Sequence, residues 1–257
     1  MLELRHVAKT YNPGMVTEMC LFRDFNLTVP KGQFISVVGS NGSGKTSLLN
    51  IICGSIPVDA GEVCINGECV NTRKEFQRYR SIGRVYQNPA LGTCGSMSIL
   101  ENLSLAANKG KTFGLGRAVD RRRVQTYREQ LAELGLGLEN KLDMAVGALS
   151  GGQRQAVALL MATMTPLDFL ILDEHTAALD PHTADVIMQL TDRLVREKKL
   201  TAIMVTHNLR YAVEYGDRLL MMDRGHIVMD KSGEEKAAAN VDEVLQLFNA
   251  ISIECGN

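Results

Sequence analysis

The octapeptide Gly39-Ser40-Asn41-Gly42-Ser43-Gly44-Lys45-Thr46 constrains this chain more than any other stretch. It fits the phosphate-loop pattern G-x-x-x-x-G-K-[ST], and its flanks suit that chemistry. Gln33 to Val38 carries Phe34, Ile35, Val37 and Val38, the pattern of a buried strand. Thr46 to Ile52, with Leu48, Leu49 and Ile52, has the pattern of a helix start. Glycines let backbone N–H groups close around phosphate oxygens, and a helix N-terminus adds a favourable partial charge. In such a loop Lys45 reaches the outer phosphates and the Thr46 hydroxyl ligates Mg²⁺.

A chain of 257 residues suits one core with an inserted or appended subdomain, and 45% hydrophobic residues suffice for a sizeable core. The formal net charge of −1 supplies no basic field for nucleic acid. Six cysteines are scattered, and Cys64 and Cys69 are spaced too widely for a zinc knuckle, so free thiols are expected. No apolar run approaches a membrane span, and Met1-Leu2-Glu3-Leu4-Arg5 lacks the apolar block of a signal peptide. The expectation is a soluble intracellular chain, which leaves docking on a membrane protein open.

Along the chain, Leu2 and Leu4 alternate with polar residues, as do Leu27 and Val29. Tyr11 follows the first of these segments. Pattern alone favours an edge residue packing on a sheet, with stacking on an adenine ring as the alternative. Glu62 to Val70 reads as a hairpin turning at Asn66-Gly67. Ile82 to Tyr86 is a strand that Pro89 stops. Helices are expected over Ile99 to Ala107 and Val124 to Leu134, within a helical insert. That insert carries Arg117, Arg121, Arg122, Arg123 and Arg128, read as a solvated face, with a partner subunit or lipid headgroups as alternative contacts.

Ser150, in Leu149-Ser150-Gly151-Gly152-Gln153, is a good N-cap before an apolar helix, and a second anion site. Phe169 to Leu172 is an apolar run suited to a central parallel strand, ending in Asp173 and Glu174. Strand alternation assigns these acids different tasks: Asp173 to Mg²⁺, Glu174 to the attacking water. Asp180-Pro181 opens a helix. Thr201 to Thr206 is another buried strand, and its C-terminal His207 falls where ligands bind in parallel sheets. Leu219 to Met222 and Ile227 to Met229 form a hairpin about Arg224-Gly225. Asn240-Val241-Asp242-Glu243 opens a last helix as a capping box.

Taken in this order, the motifs resemble the nucleotide-binding subunit of an ATP-binding cassette (ABC) transporter, from about Leu2 to Phe248. The resemblance implies an α/β fold: a P-loop NTPase (RecA-like) core with an N-terminal antiparallel β subdomain and an inserted α-helical subdomain. The chain is then one cassette, with residues 1–87 and 166–257 as core and 88–165 as the helical, signature-bearing part. It also implies roles. Tyr11 stacks on adenine, reversing the pattern-only preference. Gly39, Ser40, Asn41, Gly42, Ser43, Gly44, Lys45, Thr46 and Ser47 hold ATP. Gln87 touches Mg²⁺ and the water, and joins Thr46 and Asp173 around the metal. Ser150, Gly151, Gly152 and Gln153 contact the ATP held by a second copy in a head-to-tail dimer. Glu174 is the general base, His207 the γ-phosphate switch, and Asp180 crosses the dimer interface.

The expected partners are a transmembrane permease, a second ATPase copy and a solute-binding lipoprotein, with no nucleic acid. The expected place is the cytoplasmic face of the inner membrane. One departure is His175, where many cassettes carry proline after the glutamate. With Gln87-Asn88-Pro89 and Leu159 to Thr163 it resembles a bacterial subgroup importing small solutes, amino acids included. Whether His175 tunes Glu174 or caps a loop stays open on sequence, as do a soluble cassette in iron–sulfur assembly and an exporter or lipid-extraction ATPase.

Overall fold

In a computed structural model, residues 1–112 and 119–254 are described, the last four by backbone alone. Arg117 of the basic cluster lies outside them. The chain begins with β1 (Leu2–Tyr11), β2 (Met19–Val29), β3 (Phe34–Gly39), α1 (Lys45–Cys53), β4 (Ala60–Ile65), β5 (Glu68–Cys69) and α2 (Glu75–Arg78). It continues with β6 (Ile82–Val85), α3 (Ile99–Ala107), α4 (Val124–Ala132), α5 (Gly151–Thr163), β7 (Phe169–Asp173) and α6 (Pro181–Glu197). It closes with β8 (Ala202–Val205), α7 (Leu209–Glu214), β9 (Arg218–Asp223), β10 (His226–Ser232), α8 (Gly233–Ala238) and α9 (Val241–Glu254).

Two sheets result. The antiparallel one runs β2-β1-β4-β5, and the six-stranded one β10-β9-β3-β8-β7-β6. In the second, β6, β7, β8, β3 and β9 are mutually parallel, and β10 returns antiparallel. This is the α/β arrangement expected, with a β layer built largely from the N-terminal part.

Both faces of the parallel sheet are covered, which is why its strands read as continuous apolar runs. Along β7 the side chains alternate between two cores. Leu170 and Leu172 join Ile99, Leu103 and Leu160 on the helical side. Phe169 and Ile171 join Ile35, Leu48 and Leu2 beneath the antiparallel sheet. Alternation is the two-residue strand period at work, and it leaves Asp173 in line with Phe169 and Ile171.

Local chemistry sets the ends. Asn66 and Gly67, both with positive φ (52° and 83°), turn the β4–β5 hairpin. Ser98 and Glu101 form a reciprocal capping box at α3. The helix at Asn240 keeps half of its expected box: Asn240 accepts the Glu243 N–H at 2.8 Å, while the Glu243 carboxylate pairs with Lys231. Cys64 and Cys69 face each other across the hairpin, and the five described cysteines are free. Arg121, Arg122 and Arg123 form an exposed turn, with Arg122 paired to Asp120. Among the described residues, no helix is long and apolar enough to cross a membrane.

Candidate nucleotide-binding site

The octapeptide bridges β3 and α1, at the C-terminal edge of the parallel sheet. Helix α1 starts behind Gly44 in a left-handed conformation (φ 104°), with no side-chain cap and no acid in its first turn. Its leading N–H groups are therefore free of a carboxylate or hydroxyl from the chain itself, the condition for receiving an anion. Lys45 is buried, and its ammonium donates to the Gly39 and Ser40 carbonyls (2.8 Å each) and to Ser43 Oγ (3.3 Å). Burial draws its pKa below that of an ordinary lysine, while the charges of Glu174 and Asp173 pull it back.

The loop is held from behind by the β9–β10 turn. Gly225 donates its N–H to the Ser43 carbonyl at 2.9 Å. Its φ is 78°, and a Cβ there would lie 1.7 Å from the Leu21 carbonyl oxygen, so only glycine fits. Gly39 is equally confined, since a Cβ would sit 2.2 Å from the Met222 carbonyl oxygen.

A pocket opens over this loop, lined by Asn41, Gly42, Lys45, Thr46, Glu174 and His207, with Met19 and Leu21 at its apolar flank. Four elements thus converge: the glycine loop, the end of β7, the end of β8 and the second strand. Glu174 lies just past β7 with φ 49°, and its N–H bonds the Val205 carbonyl at 2.9 Å. A left-handed glutamate is uncommon and costs roughly 1 kcal/mol or more. It corrects the sequence argument: this turn, more than strand alternation, separates the two acids. Glu174 pairs with His207 Nε2 at 2.7 Å. Asp173 pairs instead with Arg84 of β6 at 2.6 Å.

The other sequence candidates lie around this pocket. The Tyr11 hydroxyl donates to Ser47 at 3.0 Å, and the half-buried ring packs on the core beneath the antiparallel sheet. Met19 and Leu21, not Tyr11, line the pocket wall. Gln87 is exposed just beyond β6, and its neighbour Tyr86 accepts a bond from Gln155 of α5 at 3.0 Å. Ser150 caps α5, accepting from the Gln153 N–H, while the Gln153 side chain answers to the Ser150 N–H (3.3 Å each). Ser150, Gly151, Gly152 and Gln153 are absent from the pocket lining. Gly152 also has a packing reason: a Cβ would lie 2.2 Å from Thr183 Cγ2 of α6. Asp180 caps α6 through the Thr183 N–H at 3.0 Å.

His175 is fully buried and hydrogen-bonds Thr191 of α6 at 3.0 Å; burial lowers its pKa to about 4. It fastens the turn after Glu174 to α6. Sequence reading missed Arg84, Asn50, Met19, Leu21 and Gly225. Two of them left a trace there: Arg84 as a charge two residues after Ile82 on a buried strand, and Gly225 as part of a turn.

The residues present fit Mg²⁺: oxygen donors of Thr46 and Asp173 suit a hard cation that retains waters and phosphate oxygens. No cluster of three or more His, Cys, Asp or Glu side chains placed to hold a metal ion occurs among the described residues.

Comparison with known proteins agrees with this geometry. The ABC transporter family model matches residues 22–177. The tyrosine transport ATP-binding protein of Clostridioides difficile is 41% identical over 248 residues, covering 96% of this chain and 98% of its own. The phosphonates import ATP-binding protein PhnC 1 of Ruegeria sp. is 32% identical over 256 residues, 98% of this chain and 95% of its own. A dimeric ATP-binding cassette in a post-hydrolysis state with ADP and Pi superposes with a TM-score of 0.75 at 30% identity, over 90% of this chain and 98% of its own. The chain belongs to the ABC transporter family, as an ATP-binding subunit that hydrolyses ATP.

Proposed function

We propose that this ATPase powers import of an aromatic amino acid, working as a head-to-tail pair beneath a transmembrane permease. One observation carries the mechanism. Lys45, Thr46, Glu174 and His207 share a pocket that the chain's own Ser150-Gly151-Gly152-Gln153 segment does not line. A second copy, presenting its Ser150 helix start, completes the enclosure. The substrate class rests on the 41% identical relative, whose name is that of a tyrosine transport protein.

In the proposed cycle the α1 N-terminus and Lys45 bind the β- and γ-phosphates, with Ser40 to Thr46 supplying backbone donors. Thr46, Asp173 and Gln87 would hold Mg²⁺, which would supply positive charge against the phosphates. Glu174 orients the attacking water and takes its proton. His207, now on Glu174, finds a second acceptor when a γ-phosphate enters and so reports its presence. Tyr11 supports the adenine side, through its ring or through Ser47. Asp180 faces the second copy. Hydrolysis divides the shared anion, the pair opens, and Gln87 with the helical segment 88–165 passes the motion to the permease. On this reading the chain works peripherally at the cytoplasmic face of the membrane, with a solute-binding lipoprotein on the far side.

Purification from membranes through a tag on this chain tests the reading. A multi-span permease that co-purifies, and whose vesicles take up tyrosine on ATP addition, supports it. Soluble partners alone, with ATPase activity intact, would discard transport and keep the site.

A further inference from the structure

Arg84 belongs to none of the motifs above, yet it touches the metal-side carboxylate. Its strand β6 runs parallel beside β7, with Arg84 opposite Ile171. The two-residue period aims Arg84 and Asp173 to the same face. One guanidinium nitrogen donates to Asp173 Oδ2 at 2.6 Å, and the other to Asn50 Oδ1 of α1 at 2.9 Å. The cation also lies over the Tyr86 ring, 4.8 Å from its centroid, next to Gln87. Arg84 is 8% exposed and Asp173 17%.

Two details set this pair apart from a structural ion pair. Both terminal nitrogens of Arg84 are engaged, by Asn50 and Asp173, with Cys53 Sγ 3.9 Å from the one on Asn50, while the buried Nε faces no acceptor at hydrogen-bonding geometry. The planar fork, which a lysine lacks, reaches two acceptors on two separate elements at once. Those elements are the helix of the phosphate loop and the strand that ends in the metal carboxylate.

We propose that Arg84 is a positioning residue for the metal site: it fixes Asp173 relative to α1 by holding Oδ2, leaving Oδ1 to face the metal. Residues of this outer kind orient a ligand without touching the ion, and their loss weakens metal affinity about 10–100-fold. The inference rests on the assignment of Asp173 to Mg²⁺ above.

The test uses the full chain with AMP-PNP and Mn²⁺, the bound ion read by electron paramagnetic resonance. Nucleotide affinity is measured in parallel in EDTA. Arg84→Met is expected to raise the Mn²⁺ half-saturation concentration about tenfold or more, with AMP-PNP affinity in EDTA unchanged. Arg84→Lys should fall between, because charge returns without the fork. Unchanged or tighter Mn²⁺ binding in Arg84→Met would overturn the proposal. If Arg84→Met binds no nucleotide in EDTA, Asn50→Ala decides: it keeps the charge and removes one anchor. A weaker Mn²⁺ site in Asn50→Ala then supports the proposal, and an unaltered one refutes it. Asp173→Asn separates the two readings. If it leaves Mn²⁺ binding intact, the metal assignment itself is wrong; if it alone weakens binding, only the role of Arg84 falls.

Discussion

The molecule presents two glycine-flanked helix starts, α1 behind Gly44 and α5 behind Ser150, and they are finished differently. At α1 no side chain caps the helix, no acid lies in the first turn, and the nearest cation is folded into the loop. At α5 both arms of a capping box are closed, by Ser150 and Gln153. The first end keeps donors for a ligand; the second has satisfied one of its own. Helix dipole and free N–H groups act together in anion binding. The uncapped end is therefore suited to load nucleotide by itself. The capped end is suited to close over a phosphate that another copy delivers. The packing differs in parallel: the β9–β10 turn braces the loop from beneath, while α5 leans through Gly152 on Thr183.

Mutations can break this contrast. The largest effect should come from Glu174→Gln. Turnover should fall at least ~100-fold, the lower range for a lost general base, with ATP binding kept; single-turnover hydrolysis measures it, and wild-type turnover would refute the base assignment. Next, Lys45→Ala should weaken ATP binding by roughly tenfold or more, equivalent to about 1.4 kcal/mol, whereas Ser150→Ala should leave it unchanged in the isolated chain. Equal losses in a titration of the two variants would erase the distinction between the helix ends. Gly152→Ala should destabilise the fold by about 1–3 kcal/mol through overpacking. Thr183→Ala in the same chain should recover most of that in denaturant unfolding, since the colliding methyl is gone. The smallest effect is on stability in Ser150→Ala, about 1 kcal/mol for the lost cap. A loss well above 2 kcal/mol would mean that Ser150 does more for the fold than cap α5.

Much of this was legible because it is local. The glycine loop, the Asn66-Gly67 turn, the helix over Ile99–Ala107 and the Ser150 cap each depend on a few adjacent residues, whereas the Gln153 arm of that cap emerged only in the structure. The apolar run at β7 announced a doubly covered strand. The first two strands were only half visible, because register shifts in β1 and the left-handed His6 (φ 50°) interrupt the period. Arg84 and Asp173 meet across 89 positions, through a strand pairing that no local pattern specifies. The brace at Gly225 is likewise a contact with a distant loop, so its sequence signal was only that of a turn. His175 was visible as a departure, but its bond to Thr191 depended on where α6 packs.

In the proposed pair, an uncapped and a capped helix start, from two copies, enclose one ATP. Light scattering of Glu174→Gln with MgATP, with MgADP and without nucleotide tests it most directly. A dimer is expected with MgATP alone, and Ser150→Arg introduced into the same chain should dissolve it. A monomer in all three conditions, or a dimer indifferent to nucleotide and to Ser150, would contradict it.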